Sequence, residues 1–175
     1  MSRILGSLHE AEGAVRIEDR FDTEGSEVWS ALTDPGRLGV WLGEVDGDLR
    51  LGGEFRARFF ASGWEGTGRV EACEPPQHLL VLTKDIDEPE TAAYGHVIEV
   101  TLTADGDGTS LVWEERGMPV DLLAAYGAGV QVHVEDLAAY LSGRERCDAA
   151  ARFTELFPAY QELVAAGVPS TSDTL

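Results

Sequence analysis

The chain has 175 residues, enough for one domain with a tail and for a core that needs no disulfide or metal to staple it. It carries 32 acidic against 13 basic side chains, a formal charge of −19, and Lys84 is its only lysine. So negative a surface repels phosphate backbones and anionic lipid, which argues against nucleic acid and membrane partners and fits a solubility role.

Residues 1–11 read as a loose leader. From Ala14 to Phe21 apolar and polar residues alternate, the pattern of a half-buried strand. Ser26 or Thr23 can cap the next helix, whose apolar face is Val28, Trp29 and Leu32. Asp34-Pro35 stops that helix, and Pro35 opens a second short one ending near Trp41-Leu42. Strand-like segments follow at Glu44–Leu51, Glu54–Phe60, Gly66–Glu74, His78–Lys84, Tyr94–Thr103 and Thr109–Arg116, the last two joined by the tight Asp105–Gly108 turn. A long helix begins near Val120, with Tyr126, Val130, His133, Leu137 and Leu141 along one side. Beyond Gly143 a further amphipathic stretch carries Phe153, Leu156, Phe157, Tyr160 and Val164, and Pro158 is expected to kink or restart it.

This order, one strand, two short helices, a run of strands and one long helix, predicts an α+β fold. A curved antiparallel sheet of about six or seven strands grips the C-terminal helix. The expected division is leader 1–11, domain 12–143, extra helical segment 144–166 and disordered tail 167–175. Cys73 and Cys147 lie far apart, outside any metal-ligand spacing, and read as free thiols. There is no signal-peptide stretch and no run near the ~18 apolar residues of a membrane span, so the expected location is cytoplasmic.

A sheet folded around a helix leaves an apolar space between them. Trp41, Trp64 and Trp113, with Phe55, Phe59 and Tyr126, are as a set candidate walls of that space, because aromatic rings bring large apolar area with few rotamers; each taken alone reads first as plain core packing. His133, in the middle of the helix stripe, either faces the cavity, where it orients a ligand or moves a proton, or is a buried histidine bonded to a neighbour. Glu115 shares a strand face with Leu111 and Trp113. It either pairs with His133 inside the pocket or lies past the sheet edge in solvent. The glycine-rich Gly63–Gly68 stretch lacks the Gly-Lys-Ser/Thr ending of a phosphate loop and reads as a strand-entry turn. The Asp105–Gly108 turn is too short for a calcium loop, and Asp85, Asp87, Glu88 and Glu90 read as a solvated acidic loop. No cofactor or metal site is expected, and no catalytic motif is legible.

The segments resemble the START-like SRPBCC superfamily, in the branch named for the activator of heat-shock protein 90 ATPase homologue 1. The resemblance rests on Val28–Pro35, Leu38, Trp41-Leu42 and Gly52–Phe55. It continues through Gly68–Glu71, Pro75-Pro76, the Gly108–Leu111 hairpin and Gly129 with His133, Leu137 and Leu141. It implies a helix-grip (Bet v 1-like) fold with a hydrophobic cavity, a small apolar ligand or a protein partner, and no shared catalytic set. This chain departs from related bacterial sequences where Val130 follows Gly129, and in the stretch after Gly143, which would pack over the cavity mouth or form a dimer contact. The expected function is therefore binding of a small hydrophobic or aromatic molecule. Trp41, Phe55, Phe59, Trp64 and Trp113 would give shape, with Tyr126, Val130 and Leu137 from the helix, while Glu115 and His133 would give polarity. The alternatives are a cyclase- or hydrolase-like enzyme using His133 and Glu115, and a co-chaperone-like or homodimeric interaction domain using residues 144–166.

Overall fold

The structure, a computed structural model, describes residues 3–167. Strands are β1 (Gly6–His9), β2 (Ala14–Phe21), β3 (Gly43–Gly47), β4 (Glu54–Phe59), β5 (Glu65–Glu74), β6 (His78–Asp85), β7 (His96–Asp105) and β8 (Gly108–Arg116). Helices are α1 (Gly25–Thr33), α2 (Pro35–Trp41), α3 (Leu123–Leu141) and α4 (Ala149–Gly167). All eight strands form one antiparallel sheet in the order β1-β2-β8-β7-β6-β5-β4-β3.

The strand count exceeds the expected six or seven by β1, which lies inside the segment expected to be a loose leader. Gly6 to His9 pair with Ile17 to Ala14, and Leu5 N–H donates to the Gln131 side chain of α3, so this edge is held by backbone and helix together. Four residues are too short for alternation to announce a strand. The expected disordered tail lies outside the described residues, apart from Gly167, which ends α4.

One face of the sheet is charged. Arg116 and His78 both pair with Glu99 across neighbouring strands of that face, and Arg116 also pairs with Glu114 along its own strand. The other face supplies Ile17, Val70, Val100, Leu111 and Trp113 to the core. A register shift between Val70 and Ala72 in β5 marks a bulge, the usual device for bending a strand and increasing sheet twist.

The short helices form as the sequence suggests, with one change. Asp34 caps α2, its side chain accepting from Gly36 N–H at 2.8 Å, and Pro35 takes the first turn. Helix α1 has Glu24 at its cap without a side-chain bond; Thr23 instead offers its carbonyl to the Thr109 hydroxyl. At the far end Asp148 caps α4 by accepting from Ala151 N–H. Helix α4 runs through Pro158 without a restart. Fully buried Leu156 and Tyr160, on either side of the proline, dock it on α3.

Lys84 is turned away from the sheet's concave side. Its ammonium donates to the carbonyls of Pro89, Glu90 and Ala92 and lies 5.2 Å from the centre of the Tyr94 ring, pinning the acidic loop that follows β6.

Candidate ligand cavity

Strand alternation sets the floor of the cavity. With Lys84 turned to the other face, its neighbours line the cavity, Thr83 buried within it and Asp85 exposed at its rim. On the adjacent strands His96, Ile98 and Glu115 do the same, and Ile98 stands directly across from Glu115. The Glu115 carboxylate is buried, and both its oxygens are engaged. His96 Nε2–H donates to one at 2.7 Å, and Trp113 Nε1–H to the other at 2.9 Å. A carboxylate can persist in this apolar setting because it is doubly hydrogen-bonded.

One wall comes from the β4–β5 turn, where the Phe59 and Trp64 rings lie 4.9 Å apart. The Trp64 indole rests on Gly66: a Cβ there would meet Trp64 Cζ2 at 2.2 Å. This is what the glycine-rich stretch does, since only a residue without a side chain leaves room for the indole. Trp64 Nε1–H donates to Asp85 Oδ1 at 2.7 Å, tying the wall to the floor.

Helix α3 forms the roof with Ala125, Tyr126, Gly129, Val130, Val132 and His133, a stripe at helical spacing. Helix α4 adds Ala149, Ala150, Phe153 and Thr154 at the mouth, again one helical face. The cavity has a volume of about 590 Å³ and opens to solvent at its mouth, within the range of about 300–1,000 Å³ typical of small-molecule sites.

His133 is 5% exposed, between Phe59 at 5.2 Å and Trp113 at 6.3 Å, and its Nδ1 has no hydrogen-bond partner. Burial holds its pKa below the ordinary histidine value, with the charge of Glu115 acting in the opposite sense. The ring is therefore a neutral imidazole lining the cavity. Neither alternative for Glu115 holds: it is buried, not in solvent, and it pairs with His96 and Trp113, not with His133.

Of the residues expected to line the cavity, Phe59, Trp64, Glu115, Tyr126, Val130 and His133 do so, and Trp41, Phe55, Trp113 and Leu137 do not. Trp41 and Trp113 pack edge to face at 6.5 Å, and Trp41 Nε1–H donates to the Ala31 carbonyl, so both belong to the core. The Phe55 ring is seated on Gly68, where a Cβ would come within 2.3 Å of it. Leu137, one turn beyond His133, is fully buried. Sequence reasoning missed His96, Thr83 and Asp85. His96 shares strand parity with Ile98, which was the available signal; its partner on β8 depends on register. Among the described residues no cluster of three or more His, Cys, Asp or Glu side chains could hold a metal ion.

The model of the family described as "Activator of Hsp90 ATPase homolog 1-like protein" matches residues 22–142. The chain belongs to this family. Among solved structures it is similar to the crystal structure of CalU16 from Micromonospora echinospora, at 30% identity and a TM-score of 0.70, covering 87% of this chain and 88% of that one. It is also similar to DynU16, a protein of the dynemicin biosynthetic locus, at 27% identity and a TM-score of 0.68, covering 78% of this chain and 51% of that one. The Aha1 dimer from Colwellia psychrerythraea shares the fold, at 18% identity and a TM-score of 0.63, over 73% of this chain and 95% of that one. No curated protein matches. The family's helix-grip architecture is the one seen here, and no helix among the described residues is long and apolar enough to cross a membrane.

Proposed function

We propose that this protein binds a small apolar or aromatic molecule between the concave sheet and α3. The observation that carries the reading is the cavity of about 590 Å³, with Phe59, Trp64, Tyr126, Val130 and Phe153 giving apolar walls and a few polar groups at defined points. The likeness to CalU16, over nearly the whole of both chains, supports a shared architecture for such a site.

Gly129 offers a clean test. It lines the cavity, and a Cβ placed on it would meet nothing within 4 Å. Gly129→Leu therefore plugs the cavity while improving helix propensity by up to about 1 kcal/mol. Wild type is expected to bind the neutral dye Nile red with enhanced emission. Gly129→Leu is expected to lose that binding with an unchanged or higher unfolding midpoint. Equal dye binding by both proteins would move the site elsewhere. Native mass spectrometry of freshly purified protein, before and after organic extraction, would show what the cavity retains.

Two other readings have less support. Acid–base catalysis by His133 and Glu115 finds both groups on one cavity, but Glu115 has both oxygens engaged. A partner or second copy docking on residues 144–166 would have to use a helix whose main apolar side chains, Leu156 and Tyr160, are already buried against α3.

A further inference from the structure

The charge of the cavity wall narrows the ligand class, and this inference rests on the binding reading above. Two carboxylates, Asp85 and Glu115, line the cavity, and no lysine or arginine among the described residues does. Lys84, flanked by the two cavity-lining residues Thr83 and Asp85, points to the opposite side and is tied to three carbonyls. Glu115 is matched by His96. Asp85 differs: Trp64 Nε1–H donates to its Oδ1, and among the described residues no basic side chain pairs with it.

We infer that the cavity takes an aromatic or polycyclic amine as its cation, with the ammonium against Asp85 beside Trp64 and the ring system inside. Three features besides the carboxylate support this. The walls near Asp85 are aromatic faces, Trp64 with Phe59 on one side and Tyr126 with His96, 5.9 Å apart, on the other, and such faces attract cations. The Tyr126 hydroxyl feels the negative charge of both Asp85 and Glu115, which adds to burial in raising its pKa. His133, only 5% exposed, brings an uncharged ring with an unpartnered nitrogen to the same wall, so it adds no compensating positive charge there. A carboxylate or phosphate ligand would meet the like charge of Asp85 with no basic side chain paired to it, on a chain already at −19.

The test uses three probes on one ring: naphthylmethylamine, naphthalenemethanol and naphthoate, titrated by calorimetry into wild type, Asp85→Asn and Gly129→Leu. The amide oxygen introduced by Asp85→Asn would still accept from Trp64, so the wall is retained. In wild type the amine is expected to bind roughly three- to tenfold tighter than the alcohol, and the carboxylate weakest. Asp85→Asn should remove most of the amine's advantage over the alcohol, and added salt should weaken the amine. If the alcohol binds, Gly129→Leu abolishes it and the carboxylate matches or exceeds the amine, the inference on charge is overturned while the binding reading stands. If no probe binds, or all bind the plugged variant equally, both are overturned.

Discussion

Gln131 and His133 are two residues apart on α3, yet their surroundings are opposite. On the Gln131 side everything is satisfied. Its amide accepts from Leu5 N–H and the Tyr160 hydroxyl and donates to the Arg3 carbonyl, and the Tyr160 ring fits so closely that a Cβ on Gly127 would come within 2.5 Å of it. Glu135 and Arg152 form a bidentate pair beside it. On the His133 side a ring nitrogen has no partner and about 590 Å³ stays unfilled. One helix thus packs to completion around Gln131, under Tyr160, and stops short of doing so around His133, where the start of α4 only rims the cavity. The contrast shows that the void belongs to one face and is not a general looseness of packing.

The largest test of this contrast is a pair of truncations. Tyr160→Ala should lower stability by about 3–5 kcal/mol, because a fully buried ring leaves a hole that rigid neighbours cannot close. Phe153→Ala, which enlarges a space already present, should cost less than about half as much. Equal losses by urea denaturation would mean that the two faces are packed alike.

A second, smaller effect comes from His133. Its pKa lies below the unfolded value of 6.5, so the unfolded chain takes up a proton that the folded chain refuses. The stability this neutral ring contributes is present above pH 6.5 and is lost as pH falls, with a slope approaching about 1.4 kcal/mol per pH unit. Unfolding midpoints between about pH 7 and 5 should fall faster for wild type than for His133→Gln. Parallel curves would place the imidazole in contact with water.

The smallest effect is on reactivity alone. Cys147 is exposed, yet desolvation first, and then the neighbouring Asp136, push its thiol pKa up to about 12. Alkylation by iodoacetamide at about pH 8 should be at least about tenfold slower than for a free thiol, and Asp136→Asn should speed it. A rate equal to that of glutathione would remove Asp136 from the account.

The contrast also marks what the sequence could tell. Period-two alternation placed β2, β4, β7 and β8, the Pro75-Pro76 ending and an apolar run placed β5 and β6, and the Asp34-Pro35 junction separated α1 from α2, because these signals are local. The wall residues Phe59, Trp64, Tyr126, Val130 and His133 were legible as large or polar side chains on inward faces. Asp85 was not, since it reads as the start of an acidic loop and only the strand register brings it to the cavity rim. Gln131 and Asp136 were missed for a related reason: α3 is buried nearly all round, and a second helix covering its polar side leaves no trace in its own periodicity. Trp41 and Trp113 were visible as either cavity or core, and only their edge-to-face contact decides.

The way Lys84 is held has a consequence for any chemistry aimed at primary amines. Its ammonium donates to three carbonyl oxygens, and the residue is 9% exposed. Acetylation, isopeptide conjugation and amine-reactive crosslinkers therefore meet no available lysine on this chain. Reaction at Lys84 would first have to unfasten the loop from Asp85 to Ala92.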